Sequence, residues 1–213
     1  MSAPGPLTTD ALAARIARDI PDGSYVNLGI GQPTRVADHL DPDAGIVLHT
    51  ENGMLGMGPA AVGGEIDPDL TNAGKVPVTE LPGAAYFHHA DSFATMRGGH
   101  LDVCVLGAFQ VSGRGDLANW HTGAPDAVPA VGGAMDLAIG ARRVYVMMRL
   151  FARDGSPELV PRCTYPLTGT ACVSRVCTDH GVFATGPGGV RVLETYGITP
   201  EELRERLAVP FRH

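Results

Sequence analysis

The sequence has no long apolar run, no cluster of basic residues and no cysteines at metal-ligand spacing, and each lack removes a class of function. No stretch approaches the roughly 18 consecutive apolar residues that read as a membrane-spanning helix. The opening MSAPGPLTTDALAARIARDI has no basic start leading into an apolar stretch and a cleavage site. It does not read as a secretory signal, and the expected location is the cytoplasm. Lys and Arg number 16 against 23 Asp and Glu, a formal net charge of −7. Phosphate binding depends on clustered cations, so a nucleic-acid partner is not expected. Cys104, Cys163, Cys172 and Cys177 make neither a CxxC pair nor a zinc-like spacing with the histidines, and no metal centre is expected. Cys104 lies inside the apolar run LDVCVLGAF, where a reduced thiol behaves as a small hydrophobe. Charge is scarce altogether: 18% of the residues are charged and 44% are apolar. That balance fits a folded enzyme rather than a disordered chain. It also leaves less wettable surface than a free monomer needs, which hints at a subunit interface.

What is present is an alternation of strand-like and helix-like segments. The chain has 213 residues, within the usual range of about 50 to 250 for one domain, so 1–213 reads as a single domain. Thr8 or Thr9 caps a first helix carrying Leu12, Ile16 and Ile20. Tyr25 to Ile30 reads as a buried strand whose exit, Gly29-Ile30-Gly31, precedes Pro33 and a helix through Val36, Ala37 and Leu40. That strand, glycine turn and helix start can aim backbone N–H groups at an anion, which makes Gly29 and Gly31 binding candidates. Val62 to Asn72 reads as a polar loop and Val76 to Leu81 as a short strand. A helix through Phe93 and Met96 ends at Gly98 and Gly99. Leu101 to Val111 is the strongest strand and is expected at the centre, with Arg143 to Met148 another. Short strands at Val173 to Thr178 and Gly181 to Ala184, a GPGG turn and a strand Val190 to Glu194 read as a hairpin region. Thr199 and Glu202 make a capping box for a last helix. The order predicts an α/β fold with an open, mainly parallel sheet flanked by helices, and ligands at the carboxyl ends of its strands.

One segment stands at such a strand end. Ile46, Val47 and Leu48 lead into TENGMLGMGP, Thr50 to Pro59, where Glu51 is followed by Gly53, Gly56 and Gly58. Glycines there let the backbone adopt conformations closed to other residues and come close to a ligand. The residues alone leave two readings of Glu51: a solvated turn or cap carboxylate, or a nucleophile that forms a covalent intermediate.

The segment ENGMLGMGP resembles the active-site motif of the second subunit of the class I CoA-transferases. VNLGIGQPT, LTNAGK, DSFATMRGGHLD, GDLANW, GGAMDLA and CTYPLTG match in the same order along almost the whole chain. The resemblance implies the CoA-transferase, NagB-like fold. It also implies that Glu51 is the nucleophile of a ping-pong transfer through a glutamyl-CoA thioester, with Gly133 and Ala134 backbone amides forming the oxyanion hole. Asn52 and Asn119 are candidates to orient the site. No cofactor is implied beyond CoA as a carrier substrate, and no metal. A companion A subunit, in an A2B2 heterotetramer, is implied to complete the enzyme.

YFHHADSF, NWHTG and PAVGGAMDLAIGARRVYVMM are most similar to the 3-oxoadipate branch of the family, with succinyl-CoA as donor. Both acids would be dicarboxylates, and Arg35, Arg97, His88 and His89 are candidates to meet the remote carboxylate. Two positions depart from relatives: Thr50 replaces Ser before the Glu, and Arg149 and Leu150 replace an acidic residue and a His. Transfer to acetoacetate or short fatty acids, CoA-ester hydrolysis and a non-catalytic binding module are the competing readings.

Overall fold

Thr8 takes extended backbone angles and its hydroxyl accepts the Ala11 amide, which starts α1 (Thr9–Ala17) with Leu12, Ala13, Ile16 and Ala17 buried. The computed structural model describes residues 5–72, 74–124, 126, 128–129 and 132–212; Ala73 of LTNAGK, and Ala130 and Val131 before GGAMDLA, lie outside it. β1 (Tyr25–Leu28) leads into a 3-10 helix, Gln32–His39, where the Pro33 signal predicts an α-helix. Its turns close by i→i+3 bonds, Thr34 N–H to Gly31 O at 3.2 Å and Leu40 N–H to Ala37 O at 3.4 Å.

β2 (Val47–Thr50) folds straight back as β3 (Met54–Ala60), which pairs with β4 (Val78–Tyr86), longer than the strand its sequence predicts. α2 (His89–Arg97) stops at Gly98, and β5 (Val103–Gly107) follows. The long apolar run Leu101 to Val111 is not one strand. After Gly107 the chain leaves the main sheet, and β6 (Gln110–Ser112) pairs instead with β7 (Leu117–Ala118). α3 (Ala134–Gly140) and β8 (Val144–Met148) come next. β9 (Leu159–Val160) then completes the small sheet on β6. β10 (Val173–Thr178), β11 (Gly181–Ala184) and β12 (Val190–Thr195) form the expected antiparallel run. α4 (Pro200–Arg206) carries the complete Thr199–Glu202 capping box, and β13 (Phe211–Arg212) ends the chain's described part.

The main sheet has ten strands in the order β13-β12-β11-β10-β8-β5-β1-β2-β3-β4. Its centre, β10-β8-β5-β1-β2, is wholly parallel, and antiparallel strands extend both sides. The central strands are apolar without alternation because both faces are covered. Val103, Val105, Tyr145 and Met147 pack with α1 on one face; Cys104, Leu106, Val144 and Val146 pack with Met96 of α2 and Leu137 of α3 on the other. Each fully buried Val, Leu or Met side chain contributes roughly 1.5–3 kcal/mol, so the two cores fix the sheet from both sides.

Polar contacts then orient α1. Arg15 bridges Asp19 at 2.7 Å and Glu194 of β12 at 2.5 Å, and Asp19 also meets Arg175 of β10. The Arg15 guanidinium holds the Glu194 carboxyl down at about 2.

Candidate active site

β1 and β2 run parallel, so their carboxyl ends lie side by side, and Glu51 is the first residue beyond β2. The turn into β3 needs Gly53. Its φ is +112° and its amide closes on Thr50 O at 3.1 Å. A Cβ there would stand 2.2 Å from the Phe87 carbonyl oxygen. Gly56 and Gly58 serve the same hairpin, since Cβ atoms on them would stand 3.0 Å from Ala84 Cα and 2.5 Å from Thr79 Oγ1. The motif glycines therefore contribute room for a tight β2-β3-β4 hairpin that presents the carboxylate at its bend.

The group that touches the carboxylate comes from across the site. Burial pushes the Glu51 carboxyl above its ordinary range; a hydrogen bond from the Gly133 backbone and the proximity of His89 pull it back, while Asp136 pushes it further up. Gly133 caps α3 with φ −68°, a conformation any residue adopts. What requires glycine here is proximity: a Cβ would stand 2.5 Å from Glu51 Oε2. Ala134, the first residue of α3, is half-buried beside it.

Behind Glu51 lies a buried polar cluster that sequence reasoning missed. Asn27 of β1 and His49 of β2 are each 2% exposed and Ser92 of α2 is fully buried. Asn27 Nδ2 lies 3.1 Å from both His49 Nδ1 and the His49 carbonyl oxygen. Ser92 Oγ lies 3.0 Å from His49 Nε2 and 3.3 Å from the Thr50 carbonyl oxygen. Burial lowers the His49 pKa to about 4, and its ring stacks on Phe87 with centroids 6.1 Å apart. Asn27 Oδ1 is buried without a partner among the described residues, a situation that costs about 1–3 kcal/mol. A polar residue in each of two apolar strands, YVNL and VLHT, was the available signal.

The front of the site carries ring and charge groups from α2 and α3. His89 stacks on Phe93 with centroids 4.9 Å apart, and the Arg97 guanidinium lies 5.7 Å from the same ring. Arg97 also pairs with Asp136 at 2.5 Å, so its charge is already engaged. His88 is the cap of α2, its Nδ1 accepting the Ala90 amide at 3.1 Å. Arg35 is exposed on the 3-10 helix after β1.

The remaining predicted residues divide by what their polar groups already do. The Gly29 amide donates to Val105 O at 2.8 Å and packs against Leu106, joining β1 to β5. Gly31, at φ +87°, opens the 3-10 helix. Asn52 is exposed next to Glu51; its Oδ1 accepts the Thr50 hydroxyl and its Nδ2 reaches Thr71 O at 3.4 Å. Asn119 uses both ends of its amide, donating to Gly107 O at 3.1 Å and accepting from Thr168 Oγ1 at 2.6 Å. The Thr50 hydroxyl accepts the Met54 amide at 3.2 Å, so the departure from Ser keeps the turn contact. Leu150 is core, and the Arg149 charge acts on Glu158, not on Glu51.

Among the described residues there is no group of three or more His, Cys, Asp or Glu that holds a metal, and no helix is long and apolar enough to cross a membrane. The four cysteines are free, and burial pushes Cys163 and Cys172 up to about 11.

Comparison with known proteins meets this geometry. The chain is 59% identical over 205 residues to the second of the two polypeptides of the 3-oxoadipate CoA-transferase of Pseudomonas putida, covering 96% of each chain. It is 56% identical over 199 residues to the polypeptide of the same name from Acinetobacter baylyi, covering 93% of this chain and 92% of that one. An acyl-CoA transferase structure from Escherichia coli O157:H7 superposes with TM-score 0.74 at 18% identity, over 100% of this chain and 43% of that chain; at that identity it speaks for the fold. Residues 9–202 match the Coenzyme A transferase family, and the chain belongs to it.

Proposed function

We propose that this chain is the Glu-bearing second subunit of a two-subunit CoA-transferase that moves CoA from succinyl-CoA to 3-oxoadipate. The observation that carries the reading is the Glu51 carboxylate, half-buried at the carboxyl end of the parallel strands and met by the Gly133 backbone. The names of the relatives most like this chain support the acid.

The chemistry follows from the groups at the bend. The Glu51 carboxylate attacks the thioester carbonyl, forming a mixed anhydride and releasing CoA thiolate. The thiolate then attacks the glutamyl carbonyl, giving the glutamyl-CoA thioester as succinate leaves. The carboxylate of the acceptor acid repeats the two steps in reverse and regenerates Glu51. A thiol titrates at about 8.5 and a Glu carboxyl at about 4.3, so the acyl group passes first onto the better leaving group, and that step runs uphill. Contacts to the distant nucleotide of CoA offset it. Each attack places negative charge on a carbonyl oxygen, for which the Gly133 and Ala134 amides serve as donors; loss of one such donor typically costs roughly 2.7–4 kcal/mol. In the resting site the Gly133 hydrogen bond keeps Glu51 ionised against its burial. CoA enters as substrate, and because no water has to be activated the reaction calls for no metal. A companion A subunit supplies the rest of the site, in an A2B2 assembly in the cytoplasm.

The test is the intact mass of this chain, in complex with its companion, after brief exposure to succinyl-CoA without acceptor. A CoA-sized increment absent from Glu51→Ala and cleared by 3-oxoadipate supports the whole reading. Clearance by acetoacetate but not 3-oxoadipate keeps the nucleophile and rejects the acid. No increment in the verified complex rejects covalent transfer.

A further inference from the structure

The buried cluster behind Glu51 has a direction. Asn27 Nδ2 faces the His49 carbonyl oxygen at 3.1 Å. A carbonyl only accepts, so the amide nitrogen and not the oxygen must point that way. The same nitrogen lies 3.1 Å from His49 Nδ1, which must then be the bare, accepting nitrogen. A proton there would set two donors face to face. The ring is neutral, so its proton is on Nε2, which donates to Ser92 Oγ at 3.0 Å. With that lone pair engaged, the Ser92 hydroxyl proton is directed to the acceptor within reach, the Thr50 carbonyl oxygen at 3.3 Å. That oxygen belongs to the peptide unit joining Thr50 to Glu51, and it also receives the Gly53 amide at 3.1 Å.

We propose that Asn27, His49 and Ser92 form a one-way hydrogen-bond relay that sets the Thr50–Glu51 peptide plane, making His49, as its Nε2–H tautomer, a positioning residue for the nucleophile. The relay rests on Glu51 being that nucleophile. Three elements meet in it, β1, β2 and α2, so the bend that presents the carboxylate is fixed from behind by groups that never touch substrate. Fixing the peptide fixes the start of the Glu51 side chain and hence the line along which the carboxylate approaches a carbonyl carbon. A misplacement of about 1 Å at a reacting group costs up to a hundredfold in rate. The unpartnered Asn27 Oδ1 is consistent with this: the amide is held in the orientation the relay needs although its oxygen goes unsatisfied.

The experiment measures single-turnover formation of the CoA adduct by the two-subunit enzyme for wild type, Ser92→Ala, Ser92→Thr and Glu51→Ala. The expected result for Ser92→Ala is a rate lower by roughly ten- to a hundredfold, with the concentration dependence on succinyl-CoA and the melting temperature close to wild type. Ser92→Thr, which keeps the hydroxyl, recovers most of the rate. Equal adduct formation by wild type and Ser92→Ala overturns the relay and leaves the nucleophile standing. Adduct formation by Glu51→Ala overturns both. Ring nitrogen shifts of His49 in the wild-type enzyme give a readout independent of any variant: a proton on Nε2 is expected, and a proton on Nδ1 overturns the relay.

Discussion

At Gly133 the contact that makes the site also makes it separable from the fold. The backbone there is helical, so alanine meets no torsional penalty, and what its Cβ would strike is the far end of a flexible side chain, Glu51 Oε2 at 2.5 Å. The carboxylate can move aside while the fold stays. Gly133→Ala is therefore expected to change stability by no more than about 0.5 kcal/mol while lowering CoA transfer on the order of a hundredfold through displacement of the nucleophile. Denaturant unfolding beside steady-state assays checks both halves, and a loss of stability matching the loss of rate contradicts the assignment. The charges around Glu51 give a second test. Attack requires the ionised carboxylate, so adduct formation rises with pH through a midpoint above the ordinary carboxylate range, where burial has pushed it. Asp136 raises that midpoint and His89 lowers it. Asp136→Asn should accordingly move the profile to lower pH and His89→Ala to higher pH, and a shift of both in the same direction contradicts the placement of these groups around Glu51.

At the scale of elements, the site depends on α2 and α3 lying against each other, since one carries Ser92 and His89 and the other opens at Gly133. Gly140 sits at their contact: a Cβ on it would stand 2.0 Å from the Met96 carbonyl oxygen. That neighbour is backbone and cannot swing away. Alanine would gain up to about 1 kcal/mol of helix propensity, but overpacking of this kind costs about 1–3 kcal/mol and separates the two helices. Gly140→Ala is expected to lower both the unfolding midpoint and the transfer rate, in contrast to Gly133→Ala. An unchanged midpoint would show that the helices are not held at this contact.

The same scale shows what could be read from the chain beforehand. α1, α2 and α4 were legible because their start and stop signals are local: Thr8, Gly98, and the Thr199–Glu202 pair. The parallel centre was legible from apolar runs such as Val103–Gly107 and Val144–Met148. β3 was not, because MLGMGPA carries glycines where strand residues are expected and becomes a strand only against β4. Nor was the exit of the chain from the main sheet after Gly107, where a continuous apolar pattern spans two separate sheets. Within the site, Glu51 and Gly133 were reached through motif resemblance. Their mutual contact, and the Asn27–His49–Ser92 cluster, depend on three-dimensional placement that no spacing along the chain encodes.

For the molecule as a whole, the question is what this chain does by itself. Glu51 stands at a rim where large apolar side chains remain in water: Ile30, just beyond β1, is 70% exposed, Tyr86, at the end of β4, 55%, and Ile139 on α3 69%. With only 18% of the residues charged, leaving such groups uncovered is unfavourable, at roughly 25 cal/mol for each Å2 of apolar surface. A companion subunit covering this rim would exclude water from the anhydride and thioester and strengthen the Gly133 contact by lowering the local dielectric. The chain alone is thus expected to form little CoA adduct, and adding the companion is expected to bring the single-turnover rate up until the two are equimolar. Hydrogen exchange should slow at the backbone around Ile30, Tyr86 and Ile139 on assembly, while the amides of central β5 and β8, already paired and buried, stay as they were. An adduct formed at full rate by the chain alone, or protection confined to the β12-β13 end of the sheet, would place the companion elsewhere and leave Glu51 sufficient within its own subunit.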